Sequence, residues 1–117
     1  MLNNSDVHVG GHLFLKGCEN LKSLGNLKRV GGALYLNECK ALESLPSGLV
    51  VGRDLNLFGC TSLQSLPSGL IVFGHLFLRG CTSLQSLPDD IRVDGWIYAH
   101  SEKIRGSYKG KMCAIFQ

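Results

Sequence analysis

Cysteine returns every twenty-one residues in this 117-residue chain, at Cys18, Cys39, Cys60 and Cys81. Thiolates ligate metals, form disulfides and attack electrophiles, so each chemistry has to be weighed. A metal requires about four ligands around one point. If each period is one turn of a stack, Cys18 and Cys81 stand about 14 Å apart at strand spacing, and no such point exists. Neighbouring thiols would approach disulfide distance, yet parallel side chains in a column have poor dihedral geometry for a bridge. The four cysteines therefore read as structural residues, packed as small hydrophobes with a weak donor. Cys113 lies outside the period and has no column to explain it. No metal or other cofactor is expected.

Histidine and carboxylate offer the other possible chemistry. His75 follows Asp54 by one period, which sets an imidazole one turn from a carboxylate, as a general base would need. Little accompanies the pair. His12 stands three periods before His75, about 14 Å away. No Ser or Cys nucleophile shares their face, and the Gly31-Gly32 type pairs are repeat turns rather than a phosphate loop. No catalytic residue is assigned, and the chain is not expected to be an enzyme.

The elements that position these residues follow from the same period. Leu13, Leu34, Leu55, Leu76 and Ile97 form one column, and Leu15, Leu36, Leu57 and Leu78 a second. Leu21, Leu42, Leu63 and Leu84 form a third, Leu24, Leu45, Leu66 and Leu87 a fourth, and Val9, Val30, Val51, Val72 and Val93 a fifth. The run L-x-L alternates as a strand with one buried face does. It predicts short strands near 12–16, 33–37, 54–58, 75–79 and 96–100. Each strand must return by a crossover, so identical strands stack in parallel. The return path carries Leu-Pro followed by Ser and Gly at Pro46 and Pro67, and by two aspartates at Pro88, which disfavours a helix. The expectation is a mainly β solenoid with about five short parallel strands on the concave face and extended or 3₁₀ convex segments.

In full the unit reads G-x-L-x-L-x-x-C-x-x-L-x-S-L-P-x-G-L-x-V, most cleanly in RDLNLFGCTSLQSLPSGLIV and GHLFLRGCTSLQSLPDDIRV. Over roughly residues 7 to 100 the chain resembles the leucine-rich repeat family, in its short cysteine-containing variant. That resemblance implies a Cys column turned inward after the strand and a domain that recognises proteins.

Alternation assigns the outward positions, which line the concave face. The first column is His12, Ala33, Asp54, His75 and Trp96; the second Phe14, Tyr35, Asn56, Phe77 and Tyr98; the third Lys16, Asn37, Phe58, Arg79 and His100. Six of the nine aromatic residues in the chain fall here: Phe14, Tyr35, Phe58, Phe77, Trp96 and Tyr98. Cross-strand aromatic pairs stabilise a sheet, but clustered exposed aromatics on a small domain are a solubility burden unless covered. The candidate partner-binding residues are Phe14, Tyr35, Asn56, Phe58, His75, Phe77, Arg79, Trp96, Tyr98 and His100, centred on Phe77, Arg79, Trp96 and Tyr98. They describe a protein-binding surface, as a small effector or inhibitor would carry; a ligand or nucleic acid stacked on the aromatics is the alternative.

Both ends depart from the unit. SLGNLKRV in the first turn replaces SLPSGLVV, moving Leu27 one position early. Residues 1–10 supply only a partial N-terminal coil, 11–100 the repeats, and 101–117 a cap or tail, all within one domain. The open N-terminal end would allow two copies to join by their edges, or a self-assembling stack. Residues 1–100 hold eight basic and eight acidic side chains, so the net +3 lies in residues 101–117, where Lys103, Arg105, Lys109 and Lys111 face only Glu102. No nucleic-acid motif accompanies these charges, which argues against such a partner. No run of apolar residues is long enough to span a membrane. The odd cysteine count and the lack of an apolar leader point to a cytoplasmic setting, or to a host-cell cytosol for a secreted effector.

Overall fold

A computed structural model describes residues 6–99, 104, 114 and 115. It is mainly β, with parallel strands stacked in a solenoid of about four turns and almost no helix. Each turn contributes two strands, so two parallel sheets enclose the core.

The concave sheet holds β2 (Leu13–Phe14), β4 (Leu34–Tyr35), β6 (Leu55–Asn56), β8 (Leu76–Phe77), β10 (Ile97–Tyr98) and β11 (Ala114–Ile115), in that spatial order. Leu13 pairs with Leu34, Leu34 with Leu55, Leu55 with Leu76 and Leu76 with Ile97, so the twenty-one-residue period becomes a one-strand step. The ladder continues past the strand ends, with the Leu15, Leu36, Leu57 and Leu78 N–H groups donating to the next turn at 2.8 to 2.9 Å.

The second sheet holds β1 (Val7–Val9), β3 (Leu27–Val30), β5 (Val50–Val51), β7 (Ile71–Val72) and β9 (Arg92–Val93). The Val column drives it, because a β-branched residue packs well on a half-buried pleat. Val30, Val51, Val72 and Val93 are all buried. As in any parallel ladder, successive N–H groups point alternately to the two neighbouring turns, so that Gly52 donates back to Val30 O while Leu36 donates forward to Asn56 O.

Between the sheets lies one core of leucines, valines and cysteines. Leu34, Leu36, Leu55, Leu57, Leu76 and Ile97 are almost wholly buried, as each inward column requires. The first turn is the exception: Val9, Leu13, Leu15, Cys18, Leu21 and Leu24 are only partly buried. The altered SLGNLKRV segment puts buried Leu27 opposite Val7, with a register shift between Val7 and His8. At the other end β11 adds a parallel strand beside β10, and Ile104 is buried in the core.

Candidate functional site

The outward positions of the concave sheet form an aromatic ladder with one missing rung. Phe14 and Tyr35 stack with ring centroids 4.8 Å apart and planes within 2°. Phe77 and Tyr98 repeat the arrangement at 4.8 Å and 3°. Between the two pairs stands Asn56, whose Oδ1 accepts the Phe58 N–H at 3.0 Å. Strand spacing sets the rings, so a parallel ladder of aromatics one turn apart stacks without further design. Three aromatics of this face stay open to solvent: Phe14 is 68% exposed, Phe58 47% and Trp96 41%. Arg79 is exposed, while Tyr35, His75, Phe77 and Tyr98 are half-buried by their neighbours. His100 lies outside the described residues, as does Cys113.

The first outward column does something the sequence did not reveal. His12 Nδ1 accepts the Ala33 N–H at 2.8 Å, Asp54 Oδ1 the His75 N–H at 2.8 Å, and His75 Nδ1 the Trp96 N–H at 2.9 Å. Each bond joins one turn to the next at the corner where the sheets meet. A parallel ladder would give these N–H groups the carbonyl just before the facing residue. That carbonyl is already taken, because Gly32 donates to Gly11 O, Gly74 to Arg53 O and Gly95 to Gly74 O. A side-chain acceptor fills the need, and a buried or half-buried N–H left without one is costly.

This arrangement fixes the roles of His75 and Asp54. The carboxylate meets the backbone of residue 75, not its imidazole. Acceptance at Nδ1 places the proton of neutral His75 on Nε2. The same ring meets Phe77 and Tyr98 edge-on, at centroid distances of 6.2 and 5.9 Å. Ala33, assigned outward by alternation, is 2% exposed. A methyl is too short to rise above flanking side chains.

The cysteines occupy the first bend after each concave strand. Cys39 Sγ donates to Leu15 O at 2.9 Å, Cys60 Sγ to Leu36 O at 3.1 Å and Cys81 Sγ to Leu57 O at 3.1 Å. The Leu36 carbonyl also accepts the Cys39 N–H at 3.0 Å, and Leu57 O the Cys60 N–H at 3.1 Å. Thus the thiol of each turn takes the second lone pair of a carbonyl whose first is used by the turn before. All four thiols are free. Burial pushes the Cys60 thiol up to about 11 and the Cys81 thiol up to about 12, and raises Cys39 less. Among the described residues no three His, Cys, Asp or Glu side chains converge as metal ligands, and no helix is long and apolar enough to cross a membrane.

No protein-family model, no curated protein and no solved structure matches this chain. Its function therefore has to be argued from the sheet itself.

Proposed function

We propose that this domain is a non-enzymatic binding module that receives a partner protein across the concave sheet, built on leucine-rich repeats of the short cysteine-containing type. The observation that carries the reading is the aromatic ladder, with Phe14, Phe58 and Trp96 exposed on the same face. Rigid aromatics beside Arg79 and His75 have the composition of a binding hot spot. The repeat reading rests on the register of L-x-L-x-x-C-x-x-L through four turns. Four free thiols favour a reducing compartment, the cytoplasm or the cytosol of a host cell entered by a secreted effector or inhibitor.

The deciding experiment is affinity capture with the wild-type domain and the Trp96→Ala/Tyr98→Ala variant. Proteins held by the first and lost by the second support the concave face. Identical capture by both means that the face is not the binding surface. The stacked pairs also favour a second reading, in which planar bases lie on the ladder. Binding to a nucleic acid would weaken steeply with salt, whereas binding led by aromatic burial would not.

A further inference from the structure

The missing rung at Asn56 is a slot of defined width and chemistry. Tyr35 and Phe77 face each other across two strand steps, about 9.6 Å. A planar group inserted midway would lie about 4.8 Å from each, the separation measured within both stacked pairs. Asn56 leaves the space open, because its Oδ1 is turned along its own strand onto the Phe58 N–H.

The outward residues of this turn run carboxylate, amide, phenyl: Asp54, Asn56, Phe58. Asp54 supplies only Oδ1 to the His75 N–H, which leaves Oδ2 for another donor. Among the described residues Asp54 has no ion pair, although Arg53 adjoins it in the chain. It is the lone carboxylate of the outward strand positions. The cations of that face, Lys16 and Arg79, stand four residues along and one or two turns away, about 14 Å or more, beyond the roughly 10 Å screening length at 0.1 M salt.

We infer that the slot receives the guanidinium of an arginine from the partner protein, sandwiched between Tyr35 and Phe77 over Asn56 and bonded to Asp54 Oδ2. The inference rests on the concave-face reading and specifies what that face recognises. A guanidinium is planar and stacks on rings, carries the charge Asp54 calls for, and has donors for both Oδ2 and the second lone pair of Asn56 Oδ1. The apolar stem of the arginine crosses exposed Phe58. A lysine matches the charge but cannot fill a parallel-walled slot, and a phenyl ring fills it but leaves Asp54 unpaired.

The test is an amide-resolved NMR titration of the full chain at low salt with acetyl-arginine amide, acetyl-lysine amide and acetyl-phenylalanine amide. The arginine probe is expected to shift the Asn56 side-chain amide and the Phe58 and His75 backbone N–H groups saturably, with at least about fivefold tighter binding than either other probe. Asp54→Asn keeps an oxygen for the His75 N–H and is expected to weaken arginine binding by about fivefold. Asn56→Tyr supplies the missing rung and is expected to abolish it, while the amide signals of Leu13 and Ile97 stay in place as a check on the fold. Equal binding of lysine or phenylalanine, undiminished binding by Asp54→Asn, or shifts centred elsewhere would overturn the slot. Those outcomes are separable from failure of the concave face: a partner lost by Trp96→Ala/Tyr98→Ala, with no arginine preference at Asn56, refutes only the slot.

Discussion

The His75 N–H donates to Asp54 Oδ1 across one turn of the solenoid, and the residue before His75 has to be glycine for the bond to exist. A Cβ on Gly74 would lie within contact of that oxygen and of the backbone at Arg53 and Asp54. The same coupling recurs at His12 with Gly32 and at His75 with Gly95. Ala33 carries no acceptor, and the corresponding position is Arg53 rather than glycine. Acceptor and glycine form one device, repeated wherever the corner N–H is capped by a side chain.

Asp54→Ala removes the acceptor and leaves the His75 N–H without it. A destabilisation of about 1 to 2 kcal/mol is expected, the usual cost of stranding such a donor. Asp54→Asn retains an oxygen at the same place and should cost less than half as much. Urea unfolding followed by Trp96 fluorescence measures both. Equal losses for the two variants would show that the charge, not the hydrogen bond, holds the corner.

Coupling at the first corner can be tested by a double-mutant cycle. The obstacle to a Cβ on Gly32 is mainly the His12 imidazole, with the Gly11 carbonyl carbon at 3.0 Å. Gly32→Ala is expected to cost about 1 to 3 kcal/mol through overpacking. In a His12→Ala background the added cost should fall by about 1 kcal/mol or more, since the obstructing ring is gone. Strict additivity of the two substitutions would disprove the device.

Much of this architecture is legible in the chain, for a physical reason. Inward columns such as Leu34, Leu55 and Leu76 meet the same packing demand on every turn, so the sequence repeats them and exposes the period. The second sheet is harder to see. Three of its five strands, Val50–Val51, Ile71–Val72 and Arg92–Val93, are two residues long and follow Pro-containing turns, so they read as extended chain. The corner bonds escape detection because donor and acceptor are twenty-one residues apart and share no motif. Only the match of His12, Asp54 and His75 with glycines twenty residues later signals them. The exposed aromatic face follows from simple alternation, whereas the burial of Ala33 depends on the size of its neighbours.

Glu38 sits where three other turns place glycine. Its φ is 65°, matching Gly17 at 72°, Gly59 at 74° and Gly80 at 85°. An L-residue with a Cβ pays about 1 kcal/mol or slightly more in this left-handed region. Glu38→Gly should therefore raise stability by about 1 kcal/mol, less the entropy that glycine adds to the unfolded chain. A higher urea midpoint at unchanged slope is the expected result. A lower midpoint would mean that the Glu38 carboxylate, which reaches over Gly59, contributes more than the strain costs.

The thiol ladder predicts a distinct alkaline loss of stability. A folded Cys60 held at about 11, against an ordinary value of 9.0, stays protonated while the unfolded thiol ionises. The unfolded state then binds fewer protons, so stability is fully present below about pH 9 and falls as pH rises toward 11. One pKa unit corresponds to about 1.4 kcal/mol, which makes the Cys60 share of the loss about 2 kcal/mol by pH 11. Cys81, at about 12, extends the same loss to higher pH. Cys60→Ala should be less stable than wild type at pH 8 through its cavity and the lost bond to Leu36 O, yet fall less steeply between pH 9 and 11. Convergence of the two unfolding free energies over that interval is the expected observation. Parallel curves would show that the buried thiol does not couple folding to its ionisation.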